Sequence, residues 1–507
     1  MNAVMEAAPP VTRTEPGRPW RAVVALALFE ARRLLTRIPV LFALVVHVGW
    51  TGWRTRTSWD GYPALQDADR ATQDAPMLVG LAVLLCVNQA VLRAKRRDTE
   101  RHFAVLLVQP WRRTAAHALS VVPVAGVVAL CVAGQFTWEA LKPGAVGHGS
   151  PGELLVGPLT VLLFGAVGVL LARLVPSVVA APLLVVFFLL TFVVGIAPGG
   201  DERDGTRWLF PVVAESTANT LPSDLLGRPA AWHALYLAGL AVTVALLAVL
   251  AGGGRSWTLR AACVGALAVT VLGASAQTNG VPAATAAARE RVSVSPEKEQ
   301  TCVERAGSTY CAFPEWVPRA GTWAATVDRV RSLAGGTARG QKLSVRQRIE
   351  ARHGMSADSA LAPSATPHQV TVGTAWGGNR VPEFSVAVAG VLVAGSEKAA
   401  TGGLCDGRMV TLMWLALAGG DDPLTDLSRV RLDDSTRGAA VVLSPTEPLY
   451  MTAGQTGVVT QLFGRPLKEV SARVQAHWAE LTAPKVTTAR VADLLGVTAP
   501  KGADTCE

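Results

Sequence analysis

The chain has 507 residues, half of them apolar and only 17% charged, with a mean hydropathy of +0.33. That is too oily for an ordinary soluble globule of this length, so lipid must replace water over much of its surface. The formal charge of +9 would suit nucleic acid, but Lys and Arg cluster beside the hydrophobic runs and form no stripe with interleaved aromatics, so no nucleic-acid partner is expected.

Residues 1–19 carry Pro9, Pro10, Pro16 and Pro19 among small and polar residues, and are predicted to be a disordered cytoplasmic tail without the apolar core and cleavage site of a signal peptide. From Trp20 to Arg37 the apolar residues fall on one face while Glu30, Arg32, Arg33 and Arg37 supply polar positions. This pattern predicts an interfacial helix over 20–37, lying along the inner leaflet before the chain turns near Pro39. The plainer reading is a cytoplasmic helix that leads into the first span.

A bilayer-spanning helix needs about 20 mostly apolar residues, because only a closed hydrogen-bonded helix or barrel satisfies the backbone in hydrocarbon. Seven segments of a 38–278 transmembrane domain qualify: 38–53, 76–92, 115–138, 154–174, 178–198, 232–251 and 259–276. Asn88, Gln89 and Gln135 lie inside these spans and are expected to be interhelical hydrogen-bonding groups more than a pathway. Trp50, Trp53, Trp138 and Trp232 sit at span ends, where indole prefers the interface.

Between the second and third spans, the loop 93–113 opens with charge, continues with an apolar patch at Phe103, Leu106 and Leu107, breaks at Pro110 and returns to paired arginines. Such an element could receive force from a soluble motor; it could equally be basic only to set topology. With the N-terminus inside, six basic residues precede the first span, seven occupy this loop, and Arg173, Arg255 and Arg260 follow, against seven over the opposite loops. The bias of Lys and Arg toward the cytoplasm therefore places the N-terminus inside. An odd number of spans then delivers everything after about Thr278 to the outside.

Cysteine placement is an independent test. Cys86, Cys131 and Cys263 fall in spans, where a thiol acts as a small apolar group, whereas Cys302, Cys311, Cys405 and Cys506 all lie in the segment assigned to the oxidising side. Four cysteines allow three pairings; Cys302 with Cys311 as a local loop and Cys405 with Cys506 as a long-range staple are favoured. A zinc site is the rival, without a CxxC pair or nearby His to support it.

After a soft linker, 279–300, residues 301–507 are predicted to form a mainly helical α+β extracytoplasmic domain. Residues 324–333 and 345–353 look helical, 368–374 alternates like a strand, 388–394 and 410–418 are core runs too short to span, and the spacing of Val470, Val474, Trp478 and Leu481, then of Val491, Leu494 and Leu495, predicts further helices. No HExxH, GxSxG or phosphate loop occurs; the run from Gly335 to Ser344 has the flavour of the last but the wrong spacing. His353, His368 and His477 stand alone, so no catalytic, metal or cofactor residue is assigned and no enzyme is expected.

The stretch Phe29-Glu-Ala-Arg-Arg-Leu-Leu-Thr-Arg-Ile-Pro-Val, with Arg-Arg-Asp-Thr-Glu through Leu-Leu to Pro-Trp-Arg-Arg-Thr in the loop, resembles the permease subunits of type-two ABC exporters over roughly residues 20–255. The segment from Thr301 to Trp316 is similar to outside segments of actinobacterial-type members. The resemblance implies an elbow helix before the first span. It also implies a coupling helix in the loop, with Glu100, Arg101, Phe103, Leu106, Leu107, Trp111 and Arg112 docking a separate cytoplasmic ABC ATPase. The implied partners are that ATPase, membrane lipid and a second permease in a homodimer or heterodimer; the implied site is the plasma membrane. Permeases of this type usually have six spans and end inside, so a seventh span and an outer domain depart from the pattern. A membrane-anchored outer binding or sensing module without transport is the alternative.

Overall fold

The structure, a computed structural model, describes residues 19–57, 62–96, 109–196, 205–213, 220–352, 361–401, 404, 406–432 and 439–499. Five helical stretches are long and apolar enough to cross a membrane: Leu65–Arg93, Pro110–Ala140, Pro151–Leu174, Ala230–Ala251 and Trp257–Gln277. A sixth arises if Trp20–Leu35 and Ile38–Thr55, which meet at a 64° bend, count as one. The fifth predicted span, 178–198, contains the helix Ala180–Ile196, 17 apolar-rich residues as far as the described residues run. The apolar run is there, but Pro176 precedes the helix and the residues after 196 lie outside the described ones.

The helix Pro151–Leu174 is the centre of the bundle, packed against Asp74–Arg96, Val122–Ala140 and Ala230–Ala251. Its sequence explains the position, because small residues let backbones approach closely in lipid. Gly168 is the tightest case: a Cβ there would sit 2.6 Å from the Leu84 carbonyl oxygen, and Asn88 Nδ2 donates to the Gly168 carbonyl at 3.2 Å across the same seam. Gln135 accepts from Thr51 Oγ1 at 3.4 Å, whereas Gln89 is exposed. Two of the three span amides therefore join helices.

The expected soft linker is structured. Within 279–300 the chain forms the helix Ala283–Val294, whose Arg289 is buried and donates to the carbonyls of Leu225 and Leu226, both at 2.8 Å. Its run of Ala residues has high helix propensity, and Pro282 stands just before its first turn.

Beyond it, a four-stranded sheet runs in the order β1 (Thr301–Arg305), β2 (Ser308–Ala312), β3 (Ser344–Gln347), β4 (Gln369–Val372), the first pair antiparallel and the rest parallel. The β1–β2 turn places Ala306 and Gly307 at positive φ, 47° and 77°, the conformation that two-residue hairpin loops require. That register sets Cys302 directly opposite Cys311, and the two form a disulfide. Cys405 and Cys506 lie outside the described residues. The predicted helix over 345–353 is corrected: its start is β3, whose Val345 and Gln347 are buried between β2 and β4, so sheet pairing overrides local propensity. The predicted strand over 368–374 is β4, and the core runs are the helices Arg380–Ala394 and Arg408–Leu417, buried almost throughout. A two-stranded ladder, β5 (Ala439–Val442) with β6 (Leu449–Thr452), and terminal helices complete this α+β region.

One apolar core joins the sheet region to three loops of the bundle. Ala64, Val146, Leu221 and Leu225 belong to the same buried cluster as Trp316, Trp323 and Trp414. Arg319, 2% exposed, donates to the carbonyls of Tyr62 at 2.8 Å, Pro63 at 3.1 Å, Gly144 at 3.4 Å and Thr374 at 3.4 Å. Burial pulls its guanidinium pKa down to about 10. The sheet region is thus seated on one end of the bundle.

Candidate functional site

The opposite end of the bundle holds the two flanks of the loop that sequence singled out. Glu100, Arg101, Phe103, Leu106 and Leu107 lie outside the described residues; Trp111 and Arg112 lie inside. These two open the helix Pro110–Leu119, which Pro110 starts at the position where a missing N–H costs nothing. The Trp111 indole donates to Gln109 Oε1 at 2.6 Å, and the Arg112 guanidinium lies over the Trp111 ring at 5.2 Å. Both side chains are half-buried.

Both flanks of this loop rest on the helix Pro19–Leu35. On the entering side, Arg93 pairs with Glu30 at 3.3 Å, and Glu30 is 8% exposed. On the leaving side, Ala116 packs with Val23 and Ala27 in a separate small apolar cluster. The inward stripe Val23, Ala27, Glu30, Ala31 and Leu34 has helical spacing, while Trp20, Val24, Leu28 and Phe29 face outward beside Arg32 and Arg33. An amphipathic helix bent 64° from its successor therefore braces the two ends of the loop.

At the end that carries the sheet region, a cavity of about 710 Å³ opens between segments that are far apart in sequence: 66–70, 148–153, 223–232 and 276–285. The short helix Leu65–Arg70 is its keystone. Gln66 Nε2 donates to the Leu221 carbonyl at 2.9 Å, Asp69 Oδ2 accepts from the Ser150 N–H at 2.7 Å, and Asp67 takes hydrogen bonds from Arg70 and Thr220. On the facing wall, Arg228 grips Glu153 through two hydrogen bonds, 2.7 and 3.1 Å, lies over the Trp208 ring at 4.9 Å, and Gln73 also donates to Glu153. Bidentate geometry and a third donor make this buried pair self-sufficient. Sequence reasoning passed over this site: its residues looked like parts of unrelated outer loops, and no local spacing marks them.

Among the described residues, no three His, Cys, Asp or Glu side chains come together as a metal set. Comparison with known protein families, with characterised proteins and with solved structures found no match to this chain.

Proposed function

We propose that the chain is a permease-like subunit of an ABC-type exporter, driven by a separate cytoplasmic ATPase that docks on the loop 93–113. The observation that carries this reading is the brace on both flanks of the loop. A loop whose only duty is to set topology needs basic residues near the membrane and nothing more. Here Glu30 fixes the entering flank and the Val23–Ala27 face fixes the leaving flank, so that a push on the loop reaches the span helices Asp74–Arg96 and Pro110–Ala140 through packed contacts. Coupling of this kind requires contiguous packed elements.

In this reading the N-terminus is cytoplasmic and the sheet region lies outside the plasma membrane. Leu174 ends at the brace end of the bundle, while Trp208 lies against His233 at the other, so the chain crosses between them and Ala180–Ile196 is the apolar helix available. Counted so, there are seven crossings, and the Cys302–Cys311 bond lies on the side where disulfides persist. Any hydrolysis of ATP belongs to the partner, and the permease works beside a second copy or a related chain.

The double substitution Leu106→Asp with Leu107→Asp tests the docking claim. Co-purification of a phosphate-loop ATPase from native membranes is expected to be lost, with insertion and the disulfide intact. Equal co-purification by the variant would assign the loop to topology alone and leave the anchored outer module as the better account.

A further inference from the structure

The brace end of the bundle carries charge that the chain itself does not answer. Arg21, Arg32, Arg33 and Arg37 are exposed on the helix Pro19–Leu35 and the bend after it. Arg255 and Arg260 are exposed just past Gly252, which packs against Thr114 at the same end. None of the six has a carboxylate partner among the described residues; the one carboxylate of the helix, Glu30, is buried on its inward face and held by Arg93. Surface arginines of the sheet region and of the helix leading into it mostly do have one: Arg291 with Glu299 at 3.0 Å, Arg380 with Glu383 at 3.0 Å, Arg429 with Asp426 at 3.5 Å and Arg490 with Glu480 at 2.6 Å. The contrast lies within one chain, so it belongs to the place and not to arginine as such.

The same helix leaves an apolar face open. Residues four apart share a helix face, and two neighbouring rows point outward, Trp20, Val24, Leu28 and Arg32 beside Arg21, Ala25, Phe29 and Arg33. Both rows end in a cation at the bend, where Arg37 follows, and the Arg33 guanidinium lies over the Phe29 ring at 5.3 Å. Past the 64° bend the exposed apolar surface continues on the next helix at Ile38, Phe42 and Val45. Water would hydrate the arginines and leave the ridge bare, a soluble anion would answer only the charge, and a zwitterionic lipid would cover the ridge without net charge. An anionic lipid does both.

We propose that the outward face of the helix Pro19–Leu35 is a binding surface for anionic phospholipid, the phosphate oxygens accepting from Arg32, Arg33 and Arg37 and the acyl chains covering Trp20, Val24 and Leu28. This assignment rests on the interfacial reading of the helix and is independent of whether an ATPase binds. A lipid held there would press the inward stripe of the helix onto Arg93 and Ala116, so the headgroup composition of the leaflet would set how firmly the two flanks of the loop are braced.

Photo-crosslinking on the full chain tests this, with Leu28→p-benzoylphenylalanine in nanodiscs of equal phosphatidylglycerol and phosphatidylcholine. Lipid adducts read by mass spectrometry are expected to favour phosphatidylglycerol about fivefold or more, since each arginine near an anionic surface contributes a factor of about five. Arg32→Gln with Arg33→Gln and Arg37→Gln is expected to bring the two lipids to parity at an unchanged thermal midpoint, all three positions being exposed. Arg32→Lys with Arg33→Lys and Arg37→Lys is expected to keep the preference, because a point charge on a long stem still reaches the headgroups. Parity before any arginine is changed, or an undiminished preference in the glutamine variant, would overturn the proposal while the adducts themselves uphold the interfacial helix. No lipid adduct at all would overturn both. Loss of the phosphatidylglycerol preference on adding soluble glycerol phosphate would make the occupant a soluble anion and overturn the proposal as well.

Discussion

Arg319 shows how much one side chain can hold. Its guanidinium serves four carbonyls from three separate segments, sharing Pro63 with the Val146 N–H and Thr374 with the Trp316 indole. Hydrogen bonds to a charged donor contribute more than neutral ones, and removing this donor unties three segments at once. Arg319→Met keeps the stem and removes the donors; it is expected to cost about 3 kcal/mol and to open the loops around Tyr62 and Gly144 to protease, as limited proteolysis and thermal unfolding in detergent would record. Gly168 sets a limit of the opposite kind, on space. Gly168→Val would drive branched carbons into the Leu84 backbone and is expected to lower the stability of the bundle by about 3 kcal/mol, whereas valine at the exposed Gly134 of the helix Val122–Ala140, where an added Cβ meets nothing within 4 Å, would leave the seam untouched.

At the scale of elements, the amphipathic helix Pro19–Leu35 is the part whose behaviour distinguishes a brace from an anchor. Glu30→Arg is expected to weaken association with the ATPase by repelling Arg93, and Arg93→Glu in the same chain to restore it, because the pair and not either charge holds the flank. Restoration measured by co-purification would establish the coupling; two additive losses would show the charges acting separately. This helix and most spans were legible in the sequence because lipid forces long apolar runs and an interface forces a 3.6-residue stripe. The hairpin disulfide was legible because its cysteines stand only nine positions apart. β3 was not, since Val345-Arg-Gln has no alternation long enough to outweigh a helical reading, and only the neighbours β2 and β4 supply the pairing. The cavity was illegible for the same reason on a larger scale: Asp69, Ser150 and Arg228 meet only after four loops have folded together. The helix Ala283–Val294 was signalled by its Ala run, and was obscured by the breakers Asn279, Gly280 and Pro282 that stand just before it.

For the whole molecule, the exporter reading requires the two ends of the bundle to lie on opposite sides of the membrane. Lys398 is exposed on the sheet region and Arg255 is exposed between the helices Ala230–Ala251 and Trp257–Gln277. In intact cells, a membrane-impermeant maleimide is expected to label Lys398→Cys, and to label Arg255→Cys only after the membrane is opened; the reverse pattern would invert the topology. The shared apolar core also predicts that the sheet region moves with the loops 62–64, 144–148 and 221–226, so a state change driven from the brace end would be felt at the cavity.

The most direct test of the central claim is purification of the full chain from its native membranes in mild detergent, with every bound chain identified and its stoichiometry measured by mass spectrometry. A stoichiometric partner that carries a phosphate loop and crosslinks to residues 97–113 is the predicted result. Intact, well-folded protein recovered without any such ATPase would contradict the exporter reading and leave a membrane-anchored outer module in its place.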